Sequence, residues 1–234
     1  MNTKKLGSAL ISLMAMGIAV PAAHAADDFD GAYVGLSTGV VQNQVDFTWS
    51  GRYSDNSAWA DVVEGMSRHG GAGRLSAGYG FHTSGRIHLG VSGFADFGQR
   101  EMGQYGYGES GPPVYVYSME AKLKDLRGLA LEPGWALSES TMAYLRLGVT
   151  YGKVEFASSY LDDGETGLET VTKNVRGTAL GWGIKHMVSP RLFVGVEVNY
   201  TRFGTETVLL DNGAEQVDFK PRQTQGLVTL GYRF

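Results

Sequence analysis

The stretch that decides the fold is Gly226-Leu-Val-Thr-Leu-Gly-Tyr-Arg-Phe234, the last nine residues of the chain. Large apolar side chains recur at every second position, Val228, Leu230, Tyr232 and Phe234, and the chain ends on an aromatic residue. Such alternation places one face of a β-strand against an apolar medium and the other against a polar one. A final strand of this kind is paired on both sides only if the sheet closes on itself. The segment therefore predicts a transmembrane β-barrel.

The amino-terminal segment predicts export. Lys4 and Lys5 precede a 12-residue apolar run from Ala9 to Val20, and Ala23-His-Ala25 has the small residues of a cleavage site. The run is too short for a transmembrane helix, which needs about 20 residues. We therefore expect residues 1–25 to be a cleaved secretory signal peptide and residues 26–234 to form one outer-membrane β-barrel domain.

Composition excludes several other classes of protein. After residue 25 no stretch is apolar enough to span a membrane as a helix, and only helices and closed barrels satisfy their backbone hydrogen bonds in lipid. Removal of Lys4 and Lys5 leaves 18 basic against 24 acidic residues, a net charge of −6, which argues against a nucleic-acid partner. Because the chain has no cysteine, it forms no disulfide and offers no thiolate chemistry.

Alternation and turn residues predict an all-β fold of eight antiparallel strands in up-and-down order. The predicted strands are 31–47, 73–82, 87–100, 115–137, 141–156, 173–187, 192–205 and 217–234. Short connections at 82–86, 137–141 and 187–191 alternate with long polar segments at about 48–72, 101–114, 157–172 and 206–216. Short periplasmic turns and long extracellular loops are typical of outer-membrane barrels.

The alternation also assigns the two faces of each strand. In the predicted seventh strand the residues facing lipid are Leu192, Val194, Val196, Val198 and Tyr200, and those facing the lumen are Gly195, Glu197, Asn199 and Thr201. The fourth strand departs from this pattern, because Asp125 and Arg127 share the face of Leu129 and Leu131. Either both charged residues lie at the outer headgroup edge or a β-bulge changes the register.

Aromatic residues are expected at the two membrane interfaces, where outer-membrane barrels carry girdles. The candidates are Tyr115, Tyr117, Trp135, Tyr232 and Phe234. Ordinary packing is the alternative for each of them.

Three parts of the chain resemble one known family. They are the mature start Phe29-Asp-Gly-Ala-Tyr-Val-Gly-Leu-Ser-Thr-Gly39, the central pair Glu132-Pro-Gly-Trp135 and Tyr144-Leu-Arg-Leu-Gly148, and the terminal Gly226–Phe234. They are similar to the first strand, central hairpin and last strand of the OmpA/opacity-type small outer-membrane β-barrels. The resemblance covers the mature chain and implies that Tyr232 and Phe234 form the signal bound by the barrel-assembly machinery. Because the family includes structural barrels, adhesins, small pores and immune-evasion proteins, it does not imply one activity.

The sequence offers little support for catalysis. Of the four histidines after residue 25, only His69 falls in a predicted extracellular segment, with Glu64 and Ser67 near it. Geometry rather than closeness in sequence defines a catalytic triad, and a solvated loop is the simpler interpretation. Gly106-Tyr-Gly-Glu-Ser-Gly111 has the spacing of a dinucleotide-binding loop, but Pro112-Pro113 follows it in place of a helix, and no spacing typical of a metal site is present. We therefore expect no enzyme activity, no metal and no cofactor.

The lumen of an eight-stranded barrel is just wide enough to be filled by side chains. The charged residues assigned to it are Asp96, Lys124, Glu132, Arg146, Lys185 and Glu197. Arg146 and Glu197 lie at similar heights on strands separated by one strand, whose inward Gly181 and Gly183 leave space between them. We therefore expect a structural ion pair between Arg146 and Glu197. A water-filled pore lined by the same charges is the alternative.

The first hypothesis for function is a structural or surface protein of the outer membrane with a plugged lumen and four extracellular loops available for adhesion or ligand binding. A narrow diffusion pore is the second hypothesis, and a lipid-modifying enzyme is the third. The expected partners are outer-membrane lipids and lipopolysaccharide, the barrel-assembly machinery, and a host or surface ligand of the loops. The fold does not choose among these hypotheses, because function lies in sites placed on it.

Overall fold

The computed structural model describes residues 29–52, 56–98, 101–109, 115–162, 165–210 and 215–234. Its strands are β1 (Gly31–Arg52), β2 (Ala58–Ser84), β3 (Ile87–Gly98), β4 (Glu101–Glu109), β5 (Tyr115–Ala136), β6 (Thr141–Asp162), β7 (Glu165–Met187), β8 (Leu192–Phe203), β9 (Glu206–Leu210) and β10 (Glu215–Arg233). Within the described ranges there is no helix long and apolar enough to cross a bilayer. The predicted signal peptide, residues 1–25, lies outside the described residues.

Eight of the strands form a closed ring. Its order is β1-β2-β3-β5-β6-β7-β8-β10, and β10 returns to β1 with antiparallel pairs from Tyr33↔Arg233 to Gly51↔Glu215. On its other edge β10 pairs with β8, so the last strand is paired on both sides. The shorter β4 and β9 add to this ring by pairing with β5 and β10. The predicted eight-stranded antiparallel barrel is confirmed.

We call the end of the barrel with the short turns its lower end and the opposite end its upper end. Through the lower half, the side chains follow the predicted alternation. Arg146 on β6 is 3% exposed and faces the lumen, whereas its neighbours Leu145 and Leu147 are 51% and 45% exposed on the outside. Glu197 on β8 lies between the exposed Val196 and the half-buried Val198 in the same way. An outer surface of large apolar side chains is what contact with lipid requires.

The bulge considered for the fourth predicted strand is present in β5. Its pairing with β6 shifts between Lys124 and Arg127, and Asp125 has a φ of 54° in the left-handed region. Leu123 above the bulge and Leu126 below it both point inward. One extra residue in the strand therefore changes the inward set from odd-numbered to even-numbered positions.

The bulge changes the predicted face of Lys124 but not that of Arg127. Lys124 lies on the outer face, where its Nζ is 2.6 Å from Glu155 Oε2, so its assignment to the lumen was wrong. The physical reason is that a single inserted residue flips every side chain beyond it to the other face. Arg127, below the bulge, is exposed on the outer surface in line with Leu129.

The four long segments predicted as polar loops consist mostly of strand, and that prediction was wrong. β1 and β2 continue as a hairpin as far as the pair Arg52↔Ala58, and β6 and β7 continue as far as Asp162↔Glu165. β4 and β9 occupy most of the other two segments. The upper end of the barrel is therefore built from extended hairpins.

These hairpins divide into two four-stranded walls. One wall is β9-β10-β1-β2 and the other is β4-β5-β6-β7. The walls are separate because the pairing of β2 with β3 stops at Ala72↔Gly98 and the pairing of β7 with β8 stops at Gly177↔Phe203. Between the walls lies an apolar cluster, the upper core, made of Val45, Phe47, Met102, Met119, Ala121, Leu123, Leu126, Val154, Phe156, Val175, Phe203, Val208, Val217 and Phe219. The barrel thus continues upward as a structure that resembles a β-sandwich.

The upper part extends well beyond a membrane. β6 has 22 residues. At a rise of about 3.3 Å per residue and a tilt of about 40°, such a strand spans roughly 55 Å along the barrel axis. The apolar band of an outer-membrane barrel is about 25 Å tall, which leaves roughly 30 Å outside it.

The aromatic residues expected at the interfaces divide between two locations. Trp135 and Phe234 are exposed at the lower end of the barrel, as expected for a lower girdle. Tyr115 and Tyr117, however, lie near the upper tip of β5, at least ten residues above Arg127, which is too high for an interfacial position. The outward aromatic residues at the upper interface are instead Phe97, Tyr151 and Tyr200.

Candidate functional site

The middle of the lumen is occupied by a layer of polar side chains that we call the luminal network. Every strand of the ring contributes to it: Tyr33 from β1, Arg74 from β2, Ser92 and Asp96 from β3, Glu132 from β5, Tyr144 and Arg146 from β6, Lys185 from β7, Glu197 and Asn199 from β8, and Gln225 from β10. Its three cations, Arg74, Arg146 and Lys185, balance the three carboxylates of Asp96, Glu132 and Glu197. The layer is therefore formally neutral.

Glu132 is the centre of one half of the network. Arg146 Nη1 and Ser92 Oγ each donate to its Oε1 at 2.7 Å. Lys185 Nζ donates to its Oε2 at 2.7 Å, and the hydroxyl of Tyr33 donates to the same oxygen at 2.9 Å. Four donors satisfy a buried carboxylate that would otherwise be costly to desolvate.

Arg74 and Glu197 form the other half. Arg74 donates two hydrogen bonds to Asp96, from Nε to Oδ1 at 2.6 Å and from Nη2 to Oδ2 at 3.0 Å. Its Nη1 donates to Glu197 Oε1 at 2.9 Å, and its Nη2 donates to Gln225 Oε1 at 2.7 Å. Bidentate pairing of this kind fixes the orientation of the guanidinium as well as its position.

Aromatic rings lie against the cations of the network. The guanidinium carbons of Arg74 and Arg146 lie 4.5 and 4.7 Å from the centre of the Phe94 ring. Lys185 Nζ lies 4.6 Å from the centre of the Tyr33 ring and 4.5 Å from that of Tyr144. The rings fill the space that the charged groups leave and attract the cations through their negative faces.

The structure brings Arg146 and Glu197 near each other but gives each a closer partner. Arg146 Nη1 is 3.7 Å from Glu197 Oε2 and 2.7 Å from Glu132 Oε1. Glu197 Oε2 accepts instead from the hydroxyl of Tyr144 at 2.7 Å. The charged network residue that sequence reasoning missed is Arg74, although its position next to the outward Leu75 on an alternating strand is a signal that points it inward. The uncharged Tyr33, Ser92, Tyr144 and Gln225 were not assigned to the lumen either.

Apolar clusters lie on both sides of the luminal network. Below it lies a cluster of Phe29, Tyr33, Met142, Met187 and Phe193, and above it lies the upper core. Phe219, Met102 and Met119 in the upper core are at most 2% exposed. The described interior is therefore packed with side chains at three successive levels.

The residues considered for a catalytic triad lie at the surface. His69, Ser67 and Glu64 are all exposed on β2. In the described part of the chain no group of three or more His, Cys, Asp or Glu side chains is placed to hold a metal ion.

The two residues predicted as the assembly signal lie at the lower end of the closing strand. The rings of Tyr232 and Phe234 pack edge to face at 5.2 Å, and Phe234 is 74% exposed. Its backbone N–H donates to the carbonyl of Ala32 on β1. Their recognition by the assembly machinery stays a prediction.

A closed antiparallel ring with an apolar exterior and a polar interior layer defines an integral β-barrel of the outer membrane. The chain matches the model of the outer membrane protein beta-barrel domain over residues 10–234, and it belongs to that family. The resemblance inferred from its first, central and last segments is thereby confirmed, and so is an outer-membrane location. A comparison with curated proteins finds no match.

Several solved structures are similar to this chain. The protease OmpT of Escherichia coli is 9% identical, with 88% of this chain and 97% of that chain covered and a TM-score of 0.50. Ail, the attachment invasion locus protein of Yersinia pestis, was solved with the heparin analogue sucrose octasulfate; it is 17% identical over 87% of this chain and 99% of its own, with a TM-score of 0.38. OprG of Pseudomonas aeruginosa is 14% identical over 88% and 96%, with a TM-score of 0.43. At these identities the likeness concerns the fold alone.

Proposed function

We propose that this protein is a structural, surface-presenting barrel of the outer membrane that does not conduct solutes. The observation that carries the proposal is the filling of the lumen by the neutral luminal network between two apolar layers. An ion crossing the barrel would have to separate buried ion pairs and then pass the upper core. Both steps are costly, because they leave charges without partners in a medium of low dielectric constant.

Single-channel recording in planar bilayers tests this proposal. We expect the purified, folded protein to produce no discrete conductance steps under conditions in which a general porin does. Steady steps from the wild-type protein would contradict the proposal. They would favour the second candidate, a narrow diffusion pore.

One observation favours that second candidate. Among the described residues, the buried luminal atoms Arg146 Nη2, Thr150 Oγ1 and Asn199 Oδ1 have no hydrogen-bond partner. Polar atoms of this kind are suited to bind water. A pore would use such positions as the lining of a narrow aqueous path.

The surface role that we propose resides in the extended hairpins. Because the two walls enclose the upper core, the hairpin tips are carried on a rigid support roughly 30 Å above the apolar band. Exposed apolar side chains near the tips, Val62 and Leu168, are 64% and 76% exposed. Large apolar side chains exposed to water are candidate contacts for a partner.

Hairpin shortening tests this role on intact cells. Phe47 pairs with Val63, and Phe156 pairs with Val171. Removing residues 48–62 or 157–170 and joining the ends by Asn-Gly therefore shortens one hairpin without changing the register of the remaining strand pairs. We expect adhesion to host matrix proteins or to other cells to fall in at least one variant, with normal surface yield. Equal binding by both variants and the wild type would refute a role for the tips.

We further propose that the protein is not an enzyme and that it reaches the outer membrane after cleavage of residues 1–25. The exposure of His69, Ser67 and Glu64 to solvent supports the first statement. Mass spectra of lipid A from cells that express the protein test it. We expect these spectra to be unaltered. The mass of the mature protein, which should begin at Ala26, tests the second.

A further inference from the structure

An arc of arginines lies on the outer surface of the barrel. Arg127 on β5, Arg176 on β7, Arg202 on β8 and Arg222 on β10 all point outward, and we call them the arginine arc. The first three are exposed and Arg222 is half-buried. The chain as a whole is acidic, so this local concentration of positive charge runs against its composition.

The four arginines lie at one height. Each is nine to eleven residues from the lower end of its strand. At about 3.3 Å per residue and a tilt of about 40°, that distance corresponds to roughly 25 Å, the height of the apolar band of an outer-membrane barrel. Below the arc most outward residues are apolar, such as Leu129 on β5 and Leu180 on β7, with Thr178 and Thr224 as polar exceptions. The arc therefore marks the upper edge of the apolar surface.

Strand register places the members of the arc side by side. Arg127 pairs with Tyr151, and Tyr151 pairs with Arg176, whose guanidinium carbon is 5.7 Å from the centre of the Tyr151 ring. Arg202 and Arg222 face each other directly across β8 and β10. Neighbouring strands are about 4.8 Å apart, so the arc from β5 to β10 measures about 19 Å across the strands.

Most of this charge is not neutralised by the protein. Arg222 pairs with Asp46. Among the described residues, Arg127, Arg176 and Arg202 form no ion pair. Two like charges directly opposite each other on adjacent strands, as at Arg202 and Arg222, destabilise a sheet. Asp46 offsets the charge of Arg222 alone, and an anion bound beside Arg202 would offset the charge that remains.

The arc covers only one side of the barrel. At the same height on the other three strands, the outward residues are Gln42 on β1, Gly73 on β2 and Phe97 on β3. Beside Arg127, the bulge in β5 opens a groove that is also lined by Tyr151 and Lys153, and Lys153 pairs with Asp125 at 3.1 Å. The geometry is that of a localised site rather than of a uniform charged ring.

We propose that the arginine arc binds the phosphate groups of lipid A, the phosphorylated glycolipid of the outer leaflet. Arginine suits this role because its planar guanidinium binds phosphate oxygens with two parallel hydrogen bonds. The apolar surface below the arc would contact the acyl chains. The inference rests on the proposed orientation, in which the long hairpins lie outside the cell.

Native mass spectrometry of the folded protein in detergent tests the inference. The probes are bisphosphorylated lipid A, the same lipid A without its phosphates, and phosphatidylglycerol. The test variant carries Arg127→Gln, Arg176→Gln and Arg202→Gln. Its control carries Arg52→Gln, Arg86→Gln and Arg191→Gln, which remove the same charge from exposed positions outside the arc.

We expect the test variant to bind bisphosphorylated lipid A at least tenfold more weakly than the wild type, because each arginine near an anionic lipid surface contributes measurably to binding. The control should bind like the wild type, and dephosphorylated lipid A should bind weakly to all three proteins. Equal loss in test and control variants, equal binding of the dephosphorylated lipid, or a preference for phosphatidylglycerol would overturn the inference. These outcomes are independent of conductance and of surface labelling, which test the proposed function and orientation.

Discussion

Removal of Glu132 is the perturbation whose energetic effect the structure defines best. Glu132→Ala takes away the partner that lies 2.7 Å from both Arg146 and Lys185 and leaves three cations with two carboxylates in the luminal network. Breaking a buried ion pair by deleting one partner costs about 3–5 kcal/mol, because the remaining charge is buried without compensation. We expect Glu132→Ala to reduce the free energy of unfolding by that amount.

Arg146→Ala should reduce the free energy of unfolding by a smaller amount. Glu132 then still accepts from Lys185, Ser92 and Tyr33. The loss of one charge-assisted hydrogen bond suggests about 1.5–3 kcal/mol. In double-mutant cycles we expect a coupling energy of at least about 1.5 kcal/mol for Arg146 with Glu132, and less than about 1 kcal/mol for Arg146 with Glu197, where the separation is 3.7 Å.

Urea unfolding of the refolded protein in detergent, followed by tryptophan fluorescence and by heat-modifiable gel mobility, gives these free energies. Arg127→Ala is the matched control, because it removes an exposed arginine from the outer surface and should change stability by no more than about 0.5 kcal/mol. The reasoning would be refuted if Glu132→Ala were no more destabilising than Arg127→Ala. A larger coupling of Arg146 with Glu197 than with Glu132 would refute the assignment of partners.

Three further predictions concern the upper core, the end of the chain and the topology. Phe219→Ala should cost about 3–5 kcal/mol in the same urea assay, because the ring is 2% exposed, whereas Phe97→Ala on the outer surface should cost much less; equal effects would mean that the upper core is not packed. Deletion of Phe234 should reduce membrane insertion and leave unfolded protein in the periplasm, as measured by heat-modifiable mobility, and unchanged surface yield would contradict its role in assembly. Tags on the hairpin side should be labelled on intact cells, and tags on the turn side should not. Labelling at Ser138 without permeabilisation would contradict the proposed orientation. The first set of tags is at Asp55, Glu109, Asp163 and Asn212, of which only Glu109 lies within the described residues; the second is at Ser84, Ser138 and Ser189.

The hairpins show why prediction of the upper end failed. Outward residues there include polar ones, such as Gln104 and Thr207, so the sequence predicts solvated loops. The inward residues Met102 and Val208 in the same segments are nevertheless buried in the upper core. Alternation alone does not say what an inward face will contact, because the second wall that covers it comes from a distant part of the chain.

The sequence by itself determined the class of fold, the number of strands in the ring and the facing of most side chains. These properties follow from local rules, since the period of two and the short turns are set by neighbouring residues. It also placed Arg146 and Glu197 correctly in the lumen.

Only the tertiary structure decided which charges meet and where the faces change. Arg146 lies closer to Glu132 than to Glu197, and Arg74 joins Asp96 to Glu197, because closure and stagger of the ring set the heights of strands that are far apart in sequence. The bulge at Asp125 moved Lys124 to the outside, because one extra residue inverts a pattern whose period is two. The same long-range geometry brought four arginines from β5 to β10 to one height, although no two of them are near each other in the chain.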